Sequence, residues 1–180
     1  MLRLFVGLRP PPPIRAQLLS LMAGLPGARW QDDEQLHLTL RFIGEVDGRT
    51  ADDVALAMGT IRAPAIAVSL SGVGRFDSKG RTNAVWAGVA PQEALAALHR
   101  KVDHALVRLG LAAEHRAYLP HITLARFARS EVVEGEIDAF LARQAGLASA
   151  PFTLHHIMLF ASHLGRSGAQ YEALGRWPLA

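Results

Sequence analysis

The sequence predicts an α+β fold in which two loosely similar halves share one cleft. Three observations point there. The tetrapeptide His37-Leu38-Thr39-Leu40 returns as His121-Ile122-Thr123-Leu124, 84 residues further along a chain of 180. Strand-like and helix-like segments are interspersed along the whole length, and no stretch reads as a linker. Half of the residues are hydrophobic and 19% are charged, which is the composition of a packed core rather than a disordered chain. One domain spanning residues 1–180 is therefore expected.

The elements follow in order. Leu2 to Leu8 is an apolar run of strand length, ended by the prolines at 10 to 13. Proline is tolerated in a first helical turn, so a helix is expected over about Ile14 to Gly24. Leu36 to Ile43 is the first motif strand. Asp47 to Arg62 reads as a helix with Thr50 as N-cap. Ala65 to Val73 and Ala84 to Val89 read as strands, joined by the polar stretch Asp77-Ser78-Lys79-Gly80-Arg81. Gln92 to Leu109 carries Leu95, Leu98, Val102, Ala105, Leu106 and Leu109 at helical spacing and stops at Gly110. Pro120 to Phe127 is the second motif strand. Glu131 to Ala145 has an acidic first turn, as a helix dipole favours. Phe152 to Ala161 and Gln170 to Trp177 close the chain as strands.

The repeated tetrapeptide carries the chemistry. Side chains alternate faces along a strand. Each copy therefore turns its aliphatics to one side and its His and Thr to the other. The flanks repeat too: Leu36 and Pro120 precede the histidines, and Phe42 and Phe127 follow. A single His-x-Thr pair on a strand is ordinary, but two with matched surroundings in corresponding halves are not. Imidazole exchanges a proton near neutral pH. Two histidines on opposite sides of a phosphorus centre can take a proton from water and give one to a leaving oxygen, each transfer being worth roughly 100- to 10,000-fold in rate. The hydroxyls of Thr39 and Thr123 can donate to the non-bridging oxygens. Arg41 lies four residues after His37, so strict alternation places it on the same face as a phosphate or RNA contact. Phe42, Phe76, Tyr118, Tyr171 and Trp177 are aromatic candidates for stacking a base. Phe76 and Tyr118 flank loops that could border the cleft.

Other classes are excluded or unsupported. There is no cysteine, hence no disulfide, thiolate nucleophile or cysteine-ligated zinc. His99 and His104 are five apart on a helix, and His155 and His156 are adjacent on a strand. Neither spacing suits a metal, and no metal site is expected. No phosphate loop of Walker type and no GxGxxG occurs. No run reaches the roughly 18 apolar residues of a membrane span, and the start of the chain does not read as a signal peptide. A soluble, cytoplasmic monomer is the expectation. All but Lys79 and Lys101 of the 19 basic residues are arginine, which suits phosphate contacts.

The chain resembles the two-histidine phosphoesterase superfamily, in the branch of RNA 2′,3′-cyclic phosphodiesterases, also called 2′-5′ RNA ligases. Beyond the paired His-x-Thr-x motifs, the similar segments are Arg3 to Leu8, Ala28-Arg29-Trp30, Gln35 to Gly44, Gly72 to Phe76, Val85 to Val89, Pro120 to Arg126, and Ser162, Gly168, Tyr171 and Trp177-Pro178-Leu179. The resemblance covers essentially the whole chain. It implies two lobes, each a small antiparallel sheet with helices outside, and a central groove lined by one His-x-Thr strand from each. It implies metal-independent hydrolysis of RNA 2′,3′-cyclic phosphate ends to 2′-phosphates, with no cofactor. His121 is then the base that takes the water proton and His37 the acid that protonates the leaving oxygen. The two motifs are chemically equivalent, so the residues alone leave that assignment open. The resemblance also implies that Arg126 joins the phosphate site. Strict alternation turns Arg126 away from His121, so a strand end or bulge is expected between them. Two alternatives remain open: another cyclic or 2′-5′ linked nucleotide as substrate, or a nucleotide- or RNA-binding module without turnover.

Overall fold

The computed structural model describes residues 1–180. In chain order the elements are β1 (Leu2–Leu8), α1 (Pro12–Leu19), β2 (Arg29–Trp30), β3 (Leu38–Val46), α2 (Gly48–Gly59), β4 (Ile66–Ser78), β5 (Arg81–Ala90), α3 (Glu93–Arg108), β6 (His121–Arg126), α4 (Glu134–Arg143), β7 (Phe152–Leu154), β8 (His156–Gly165) and β9 (Gly168–Pro178). The strands join in the order β7-β4-β5-β6-β3-β1-β8-β9, with β2 paired to β6, and every pairing is antiparallel.

The path has one weak seam. β6 and β3, the two motif strands, meet only at Leu38 opposite Ile122. On one side lie β3, β1, β8 and β9, and on the other β6, β5, β4 and β7. These are the two expected lobes, joined through the motifs themselves. One apolar core runs beneath both, holding Leu38, Leu40, Ile122 and Leu124 with hardly any exposed surface. Four such aliphatics at about 1.5–3 kcal/mol each fasten the seam from below.

α2 and α3 pack on each other and on the β3-β1 lobe. α3 buries Leu95, Leu98, Val102, Ala105 and Leu106, the face read from its spacing. In the other half, Trp30 of β2 packs on Phe140 of α4, ring centroids 5.8 Å apart. No helix is long and apolar enough to cross a membrane.

Most elements match the sequence reading in type. The single strand expected over Phe152 to Ala161 is instead two, β7 paired with β4 in one lobe and β8 with β1 in the other. The short β2 is additional, and several ends move. α1 stops at Leu19, well before Gly24. α2 is capped by Asp47, whose carboxylate accepts from the Thr50 backbone N–H at 2.7 Å. Thr50 is thus the third helical residue rather than the expected cap. β4 and β5 run on to a two-residue hairpin with Lys79 and Gly80 both at positive φ (50° and 77°). That mirror-image turn matches strand twist and lets the polar stretch stay in the ladder. Residues 129–131 form a 3-10 turn, so α4 begins only at Glu134.

Candidate active site

The motifs face each other across the seam. Extending the Leu38–Ile122 register by one residue each way sets His37 opposite Thr123 and His121 opposite Thr39. The four polar side chains therefore form a diagonal arrangement with approximate two-fold symmetry, above a floor of buried aliphatics.

Each histidine is set in one tautomer by the same device. His37 Nδ1 lies 2.7 Å from the Gln35 carbonyl, and His121 Nδ1 lies 2.7 Å from the Leu119 carbonyl. A carbonyl only accepts, so both Nδ1 atoms carry hydrogen and donate. Nε2 is left in both rings as the atom that exchanges a proton. In the free protein His37 Nε2 sits 2.9 Å from Thr39 Oγ1, whose hydroxyl donates to the neutral ring.

Aromatic walls hold the rings. Phe5 lies 4.7 Å from His37, and Tyr171 meets it edge-on at 5.2 Å. Phe76 meets His121 edge-on at 4.7 Å, with Trp86 at 6.0 Å. Phe76 is thus placed beside His121. On the other wall Gly7 passes so close that a Cβ there would stand 2.8 Å from the Leu38 carbonyl oxygen and 3.6 Å from His37 Cδ2.

Burial pushes His37 down to about 4, against the opposing pull of the Gln35 carbonyl. The positive charge of Arg126, a protonated His121 and Arg9 lower it further. Burial also lowers His121, opposed by the Leu119 carbonyl and aided by Arg126. Both rings are accordingly neutral at pH 7 until an anion arrives between them.

A β-bulge in each motif strand decides which arginine reaches the site. In β6, Thr123 pairs with Trp86 and Ala125 with Val85, so Leu124 is an extra residue. Leu124 and Ala125 are both buried, and Arg126 returns to the face of His121 and Thr123. This is the bulge expected between His121 and Arg126. In β3, Thr39 pairs with Gly7 and Arg41 with Val6, so Leu40 is extra at the matching position. There the parity change works the other way. Arg41 turns into the core side, 7% exposed, and Phe42 takes the site face.

The expectation that Arg41 contacts substrate is therefore corrected. Its guanidinium donates to Asp103 at 2.7 Å and to the Phe42 and Ala112 carbonyls. Asp103 also accepts the Glu114 backbone N–H, so the pair ties the segment leading to His121 down onto α3. Tyr118 is corrected as a base platform for a similar reason. Its ring stacks on His99 at 4.4 Å, nearly parallel, and its hydroxyl donates to the Thr39 carbonyl at 3.0 Å. His99 Nδ1 meets the Leu40 carbonyl at 2.7 Å. Tyr118 and His99 thus satisfy carbonyls of the bulged stretch. Local propensity carries no signal for either role.

With this geometry in view, comparison with known proteins is informative. A family model for the 2′-5′ RNA ligase superfamily matches residues 10–166. The chain belongs to that superfamily. It is similar to proteins named RNA 2′,3′-cyclic phosphodiesterase. One is from Geobacillus stearothermophilus, 29% identical over 87% of this chain and 49% of the relative. Another is from Escherichia coli, 31% identical over 98% of this chain and 96% of the relative. The chain spans about half the length of the first and nearly all of the second. Among solved structures, E. coli LigT complexed with 3′-AMP superposes with a TM-score of 0.79 at 27% identity, covering 99% of this chain and 98% of LigT. The fold shared with LigT thus extends over both lobes of the sheet.

Proposed function

We propose that this chain hydrolyses 2′,3′-cyclic phosphate ends of RNA to 2′-phosphomonoesters by acid–base catalysis between His37 and His121. The observation that carries the reading is the mirrored pair of tautomers: both Nδ1 atoms are committed to carbonyls, and both Nε2 atoms are left for proton exchange. Curated relatives of that name and the 3′-AMP complex of LigT support the substrate class.

His121 Nε2 takes a proton from water as its oxygen attacks phosphorus. The P–O3′ bond breaks, and O3′ takes the proton from His37 Nε2. The product carries a 2′-phosphate and a free 3′-hydroxyl, and the protons rebalance through solvent. Thr39 and Thr123 donate to the non-bridging oxygens, and Arg126 neutralises the growing charge. The bound anion opposes the burial that keeps His37 neutral, so substrate itself raises the fraction of protonated acid. By microscopic reversibility, a 5′-hydroxyl in place of water would run the site as a 2′-5′ ligase.

The test is product identity. An oligoribonucleotide ending in a 2′,3′-cyclic phosphate is incubated with the protein and followed by phosphorus NMR. A 2′-phosphate as sole product is expected. A 3′-phosphate, or no reaction, overturns the proposal.

A further inference from the structure

Beside His37, on the same face of the sheet, lies a cavity of about 330 Å³ whose lining includes Arg9, Arg15, His155, His156, Met158 and Arg176. Its place follows from register. Gly7 pairs with Thr39 on one side and with Met158 on the other, and Met158 pairs with Arg176. Antiparallel partners share a face. The cavity therefore starts one strand beyond the motif, and Arg9 continues the Gly7 row by alternation.

Its charged side chains are all guanidinium groups. No acidic side chain lines it. Arg9 and Arg15 reach out to Asp33, and Arg9 also to Glu34, in the turn ahead of His37. Those two guanidinium groups are partly balanced, yet the Arg9 Nε atom is buried with no partner. Arg176 has no acidic partner at all. It donates instead to His156 Nδ1 at 3.2 Å. That contact requires the lone pair on Nδ1, so His156 carries its hydrogen on Nε2 as a further donor. Burial and the Arg176 charge hold His156 below the usual imidazole range, in keeping with that neutral form.

We infer that this cavity is a second phosphate subsite, which takes the phosphodiester joining the cyclic-phosphate nucleotide to the rest of an RNA chain. The inference rests on the proposed function and extends it: the protein is built for polynucleotide ends rather than mononucleotides. Guanidinium groups suit bidentate contact with a phosphodiester, and three arginines with no carboxylate in the lining disfavour cations.

The experiment compares a 2′,3′-cyclic mononucleotide with a short oligoribonucleotide bearing the same end, in wild type, Arg176→Ala and Arg176→Lys. Arg176 is exposed on the edge strand β9, so its loss leaves the core alone. One charged contact corresponds to about a tenfold change. Arg176→Ala should lower kcat/KM for the oligonucleotide by that factor and leave the mononucleotide unchanged, with Arg176→Lys recovering part. A neutral methylphosphonate at the last linkage should produce the same loss in wild type and no further loss in Arg176→Ala. Equal effects on both substrates, or none on either, overturn the subsite. If wild type turns over neither substrate, it is the proposed function that fails. The subsite is then judged by anisotropy with a labelled oligoribonucleotide ending in a plain 3′-hydroxyl. Weaker binding by Arg176→Ala with a shallower salt dependence sustains it, and unchanged binding overturns it.

Discussion

Acidification should destabilise this protein through His37, and the size of the effect follows from the site. The ring is pushed down to about 4 by burial, with Arg126, His121 and Arg9 adding to the effect. In the unfolded chain the same ring titrates near 6.5. Between those values the unfolded chain binds a proton that the native ring refuses. Stability therefore falls as pH drops from about 6.5 to about 4, and the loss levels off below, where both states are protonated. At 1.36 kcal/mol per unit the full difference is about 3 kcal/mol, and partial exposure of the ring reduces it to about 2. Urea denaturation of wild type and His37→Gln at neutral and acid pH isolates this contribution, because other titrating groups cancel in the comparison. Wild type should lose about 2 kcal/mol more than the variant on acidification. Parallel pH dependences, or an NMR titration of His37 with a midpoint above 6, would refute the reasoning. The same shift shapes the rate. Catalysis needs one ring protonated and one neutral, so kcat/KM should be bell-shaped, with both apparent values below that of an ordinary imidazole and belonging to the coupled pair. The limbs of kcat should lie at higher pH, since bound substrate stabilises the imidazolium.

Three further outcomes are expected. Gly7→Ala forces a methyl against the Leu38 carbonyl at 2.8 Å; thermal denaturation should show a loss of about 1–3 kcal/mol, with kcat reduced because the Leu38 backbone between His37 and Thr39 must give way, and wild-type kinetics would contradict it. Thr39→Val and Thr123→Val remove one hydroxyl donor each while keeping shape. Steady-state kinetics should show a cost of up to about 3 kcal/mol, mainly in kcat, the double variant being worse; unchanged kinetics with lowered stability would make them ordinary strand residues. Turnover should survive exhaustive EDTA dialysis, since no three His, Asp or Glu side chains converge; loss of rate restored by added zinc, manganese or magnesium would overturn that.

Much of the site was legible because its signal is local. Alternation in a strand places His and Thr on one face whatever the fold, and the repeat at a spacing of 84 residues points to two halves. The arginines were harder because a bulge changes parity without any marker in composition. The motif resemblance required an irregularity before Arg126, and the extra residue Leu124 supplies it. No such hint existed for Leu40, so simple alternation put Arg41 on the wrong face. Tyr118 and His99 were out of reach for another reason: their partners are the Thr39 and Leu40 carbonyls, distant in sequence. The fixed tautomers likewise depend on backbone carbonyls two residues upstream, which no side-chain pattern encodes.

The central claim is that two histidines, held as mirrored Nδ1–H tautomers, divide the proton transfers. Turnover of an oligoribonucleotide with a 2′,3′-cyclic phosphate end by wild type, His37→Ala and His121→Ala tests it most directly, with circular dichroism confirming the fold. Each single variant should lose at least about 100-fold in kcat. A variant of either histidine that keeps more than about a tenth of the wild-type rate would contradict the claim, because acid–base groups in the chemical step are worth far more than that.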